Sequence, residues 1–161
     1  MQHQSFTVQL GEEETYLNIT KRVAEVIQGW DMDEGHILIF VEHTTCAIIV
    51  QEDEPRLVGH DLPRRLNVVA ARSRRGTPKE NDGYYEHDDF SVRTVNLESV
   101  TEERINGHSH IRASFLGGPS LTLMVQDGQL HLGRWQQVLF FDFDDIADPR
   151  ERTISVSVIG G

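Results

Sequence analysis

The chain has 161 residues, 38% hydrophobic and 25% charged, with a formal net charge of −11 and a pI near 5.1. That length suits one domain with its own core, here residues 1–161, and the charge argues against nucleic acid or an anionic membrane as partner. No apolar run reaches the roughly 18–20 residues that span a bilayer, no secretory signal is visible, and the lone cysteine, Cys46, excludes an internal disulfide or a cysteine-rich zinc site, so a cytoplasmic domain is expected.

Gln4 to Leu10 alternates, with Phe6, Val8 and Leu10 on one face, and predicts a strand. Gly11 and three glutamates then turn the chain. Asn18 or Thr20 caps a helix whose apolar stripe is Ile19, Val23, Val26 and Ile27. His36 to Glu42 is almost wholly apolar and predicts a strand buried on both faces. Ala47 to Val50 is a second short strand or the far half of one bent strand. Asp53-Glu54-Pro55 opens a helix, because proline is tolerated in the first turn and carboxylates favour the positive helix end. Pro63 interrupts or restarts it before Leu66 and Ala70.

Ala71 to Gly83 is a long polar loop. Six of the fifteen basic residues lie between Arg64 and Lys79, which makes the stretch either a solvated loop or a local anion site. Ser99 with Glu102 fits a capping box, predicting a helix from near Thr101 towards Leu116, stopped by Gly117-Gly118-Pro119. Gly107 weakens that helix by about 1 kcal/mol relative to alanine. Asp127-Gly128 between apolar runs predicts a hairpin. Gln137–Phe143 and Thr153–Ile159 are the last strands, joined by the acidic Asp144–Pro149 loop. This order predicts an α+β fold with a mostly antiparallel sheet and a few packed helices.

The candidate chemistry lies in two polar clusters, expected to meet in one pocket. One is Asn106-Gly107-His108-Ser109-His110; the other is His43-Thr44-Thr45 with Gln51-Glu52. Imidazole changes protonation near neutral pH and is a common metal ligand. On a strand, His108 and His110 would face the same way; on a helix they point roughly 200° apart, and only one lines the pocket. His43 and His87 are then needed to complete a site. Three imidazoles plus water suit a divalent metal, zinc first and magnesium as the alternative. Glu52 serves as a fourth ligand, a general base or an outer partner. Trp135 stacks on a planar heterocycle with Gln136 at its edge, or packs in the sheet core. Cys46 reads as a small core residue rather than a nucleophile.

The residues His43-Thr44-Thr45, Glu52, Asp61-Leu62, Tyr85 with His87, Asn106-Gly-His108-Ser-His110, Gly118-Pro119-Ser120, Asp127-Gly128 and Leu132-Gly133 with Trp135-Gln136 resemble the YjbQ-like family of secondary thiamine-phosphate synthases. The resemblance implies a compact α+β sandwich assembled as a homotrimer, with a histidine-lined pocket able to hold a metal. It implies a transferase joining an aminopyrimidine methyl pyrophosphate to a thiazole phosphate. Catalytic residues would be His43, Glu52, His108 and His110; metal ligands His43, His87, His108 and His110. Thr44, Thr45, Arg72, Arg74, Asn106, Trp135 and Gln136 would bind substrate, a small phosphorylated molecule. Two alternatives stay open: a non-catalytic metal- or small-ligand-binding trimer, and a metal-dependent hydrolase of a phosphorylated metabolite. The family often carries alanine where this chain has Gly107 and Cys46, and asparagine where it has Gln51.

Overall fold

The computed structural model describes residues 2–11, 15–97, 103–144 and 150–159. Its strands are β1 (His3–Leu10), β2 (Tyr16–Asn18), β3 (Gly35–Val41), β4 (Cys46–Glu52), β5 (Ser120–Gln126), β6 (Gln129–Leu130), β7 (Gln136–Asp142) and β8 (Arg150–Ile159). Its α-helices are α1 (Thr20–Gln28), α2 (Leu62–Val69) and α3 (Gly107–Leu116). One sheet has the order β1-β8-β3-β5-β6 and the other β2-β7-β4, and every pairing is antiparallel.

The two sheets face each other, as alternation requires. Val8, Leu10, Ile37, Ile39, Val41, Ile154 and Val156 from the larger sheet meet Ile48, Val138 and Phe140 from the smaller, and α1 adds Val23, Val26 and Ile27. The other face of the small sheet offers Ala47, Leu139 and Phe141, which pack on Val58, Leu66 of α2 and Ala113 of α3. The small sheet is therefore the middle layer, and its ends carry the polar sites. No helix among the described residues is long and apolar enough to cross a membrane.

Several local expectations need correction. β3 is buried on one face only: Ile37, Ile39 and Val41 point inward, while Phe40 is 38% exposed. β4 is a separate strand in the other sheet, not the far half of β3, so His43-Thr44-Thr45 forms the crossing between sheets. At Pro63 the restart is the alternative realised, not an end to the helical stretch after Glu54. A π-turn at Leu57–Asp61 widens it, and α2 continues from Leu62 with Pro63 in its first turn, where the missing N–H costs least. The Ser99–Glu102 capping box lies outside the described residues, and residues 103–106 are not helical. α3 starts at Gly107 because Asp88 supplies its cap, Oδ1 accepting the N–H groups of Asn106 (3.1 Å) and Gly107 (2.9 Å). The hairpin at Asp127-Gly128 forms as expected, with φ of 51° and 71°.

Candidate functional site

A cavity of about 500 Å³ opens where the β3–β4 crossing meets the start of α3, lined by His43, Thr44, Thr45, His87, Asn106 and His110 among others. Arg93, Asn96, Glu103, Arg104 and Asp144 complete its wall. Three of the four candidate histidines thus converge, each from a different element: a strand crossing, the 3₁₀ turn Glu86–Asp88, and the second turn of α3.

His43 is held from behind. Its Nδ1 lies 2.8 Å from Thr45 Oγ1, and that hydroxyl lies 3.1 Å from Asp142 Oδ1. Thr45 and Asp142 are fully buried, and Asp142 pairs with Arg152 at 2.9 Å. A buried carboxylate accepts only, so the Thr45 hydroxyl donates to it and in turn accepts from His43 Nδ1–H. The Thr45 backbone N–H also approaches Nδ1, at 3.3 Å, and would favour the opposite tautomer. That contact is longer, and the opposite tautomer would leave two unprotonated oxygens facing each other in a dry setting. His43 therefore presents an unprotonated Nε2 to the cavity. Burial, then the Arg152 charge, pushes its pKa below the ordinary histidine value.

His110 and His87 meet edge to face, with ring centroids 4.7 Å apart. Burial, then His87, lowers the His110 pKa against an opposing hydrogen bond to the Thr44 backbone. Arg93 Nη1 lies 3.3 Å from His87 Nε2, and a guanidinium only donates, so that nitrogen is an acceptor already in use. Arg93 also pairs with Glu103, and Arg104 with Asp144.

The fit of a metal follows from these contacts. Among the described residues no three histidine, cysteine or carboxylate side chains gather closely enough to hold an ion. A guanidinium stands where the His87 lone pair would meet it. This arrangement does not fit the three-imidazole centre that the resemblance implies.

His108 does not line the cavity. It is 0% exposed, and its Nδ1 lies 2.7 Å from Ser73 Oγ, tying α3 to the base of the long loop. The helical alternative raised by the two-residue spacing is the one realised. Glu52 and Trp135 border a separate cleft with Asn18, Asp53, Glu54, Pro55, Arg134 and Gln137, and Gln136 pairs with Glu52 in the sheet. His43 precedes β4 and Glu52 ends it, and seven strand residues span roughly 20 Å. Trp135 is 63% exposed, so it does not pack in the core. Arg72 is exposed outside the imidazole cavity, and Arg74 lines a neighbouring one. Cys46 is buried, and its thiol is pushed up to about 12 by burial and then by Asp142, which rules it out as a neutral-pH nucleophile.

Asp142, Asp144, Arg93 and Arg104 were not anticipated in the site. Asp142 and Asp144 stand two apart at the end of an apolar strand, and Arg150 and Arg152 two apart at the start of the next. That reciprocal spacing is the signal that would have revealed a buried charge network.

A family model described as UPF0047 protein YjbQ-like matches residues 4–161. A UPF0047 protein of Methanothermobacter thermautotrophicus is 33% identical over 144 residues, covering 89% of this chain and 82% of that one. The UPF0047 protein YugU of Bacillus subtilis is 28% identical, covering 89% of each. A hypothetical protein from Aeropyrum pernix superposes with a TM-score of 0.74 at 28% identity over the full length of both chains. A YbjQ-like protein of unknown function from Sulfolobus solfataricus superposes with a TM-score of 0.77 at 24% identity, covering 99% of this chain and 97% of that one, and shares the fold.

Proposed function

Since the chain belongs to the UPF0047 YjbQ-like family, we propose that it is an enzyme acting on a phosphorylated small molecule in the cavity of His43, His87 and His110. The reaction we assign is the one the resemblance implies, joining an aminopyrimidine methyl pyrophosphate to a thiazole phosphate. In that step the thiazole nitrogen bonds to the methylene carbon while the carbon–oxygen bond to diphosphate breaks. The electron pair leaves with the diphosphate, and charge grows on its oxygens. Donors aimed at that charge lower the barrier, and Arg93, Arg104 and the Asn106 amide line the same wall.

The observation that supports an enzyme most is the His43–Thr45–Asp142 chain. An imidazole fixed through Nδ1, with Nε2 open to a cavity, is built to take up and return a proton. The same observation favours a second reading, hydrolysis of a phosphorylated metabolite by water that His43 activates. We also propose the homotrimer that the resemblance implies. The exposed Phe40, Met124 and Ile159 on the outer face of the larger sheet support it.

The test supplies purified protein with the two thiamine precursors, with and without divalent metal, and follows both condensation product and released phosphate. Product from the wild type, lowered about 100-fold by His43→Asn, is expected. Phosphate release without condensation would select the hydrolase. No turnover of either kind would overturn the enzyme reading and leave a binding module. Metal analysis of protein purified without chelator tests the zinc or magnesium expectation.

A further inference from the structure

A second cavity, of about 370 Å³, lies beside the first and is lined by Arg74, Arg75, Lys79, Tyr84, Tyr85 and Phe90, with Asp88 and Asp89. We infer that it binds a phosphorylated planar molecule of the nucleoside monophosphate class, at a site separate from the imidazole pocket.

Charge is the first ground. The chain is strongly acidic at −11, yet this cavity gathers three cations. Lys79 pairs with Asp89 at 3.6 Å. The Asp89 carboxylate also accepts from Tyr84 and Ser91, and Asp88 Oδ1 is engaged in capping α3. Among the described residues Arg74 and Arg75 have no carboxylate partner. In an acidic protein with carboxylates to spare, two unneutralised guanidiniums at one cavity match an anion of charge about −2, as a phosphate monoester carries.

The aromatic lining is the second ground, and it separates this class from a bare anion. Arg75 stands 6.0 Å from the Phe90 ring centroid and Lys79 5.7 Å from that of Tyr84. Cations and ring faces alternate, so a ligand whose phosphate meets the arginines has an aromatic face for its planar part. Stacking of a base on such a ring contributes roughly 1–3 kcal/mol.

The frame is the third ground. Thr77 closes a turn on the Arg74 carbonyl through both its N–H and its hydroxyl, and Gly76 there takes a φ of +77°. A Cβ at Gly83 would lie 3.1 Å from the Arg72 carbonyl, so the two ends of the segment touch. Tyr85 donates to the Ala71 carbonyl at 2.7 Å, and Ser73 is bonded to His108. The cationic tip is therefore carried on a fixed base, which lowers the ordering cost of binding.

The experiment is calorimetric titration of the full chain with adenosine monophosphate, ribose 5-phosphate and inorganic phosphate at low salt. Adenosine monophosphate is expected to bind about tenfold more tightly than the other two, and more weakly as salt rises. The double variant Arg74→Ala, Arg75→Ala should weaken it at least about tenfold with an unchanged melting temperature, since both side chains are exposed. His43→Asn should leave it unchanged. No binding to the wild type, equal affinity for all three probes, or full affinity in the double variant would overturn the proposal. Loss of binding in His43→Asn would also overturn it, by placing the ligand in the imidazole pocket.

Discussion

His43 and His110 are both held below the ordinary histidine pKa, in each case first by burial. An imidazole depressed in the folded state takes up protons more readily when unfolded. The stability it contributes is present above the unfolded value near 6.5 and is lost as pH falls towards the depressed values. Urea unfolding midpoints should therefore drop as pH falls below about 6.5. The drop should be smaller in the double variant His43→Gln, His110→Gln; an equal drop would remove the two residues from the account. His108 behaves differently, because it is fully buried and bonded to Ser73. His108→Ala leaves a cavity and an unpaired hydroxyl, and should cost roughly 2–4 kcal/mol in urea unfolding. The half-buried His43 should cost about 1 kcal/mol or less on the same substitution. Equal costs would mean that the two rings share one environment.

At the scale of elements, α3 shows how a cap from outside a helix overrides local preference. Alanine at Gly107 would gain about 1 kcal/mol of helix propensity. Its Cβ would lie 2.7 and 2.8 Å from Tyr85 side-chain atoms and 3.1 Å from Asp88 Oδ2. Overpacking of that kind costs typically about 1–3 kcal/mol and would push away the residue that caps the helix. Gly107→Ala should thus lower the melting temperature, and a raised one would show that Tyr85 moves freely. Alternation made β1 legible in the sequence, apolar runs marked β3 and β4, and Asp127-Gly128 marked the hairpin, while β2 was not anticipated. The start of α3 was not legible, because Asp88 caps it from 19 residues away in the chain. Nor was the placement of Glu52 and Trp135. Both sit at ends of well-predicted strands, but periodicity does not say which end of a sheet a neighbour's site occupies.

For the whole molecule, the outer face of the larger sheet is decisive. His36 of β3 pairs with Met124 on one side and Ile159 on the other, and both are about half exposed, at 49% and 48%. The apolar run of β3 was legible, but not that half of it would face outward, where no layer among the described residues covers it. Light scattering at micromolar concentration should give about three times the 18.4 kDa chain mass. Met124→Glu should reduce it, because a charge on a buried apolar interface is costly. A monomer mass for the wild type would end the trimer proposal.

The imidazole cavity is the core of this account, and the histidine side chains report on it directly. Long-range proton–nitrogen NMR at pH 7, recorded with and without thiazole phosphate, distinguishes the two ring nitrogens of each residue. The geometry predicts His43 as the Nδ1–H tautomer, with its Nε2 signal and those of His87 and His110 moving on addition while His108 stays in place. A proton on His43 Nε2 in the free protein, or signals from the three cavity histidines that do not move, would contradict it.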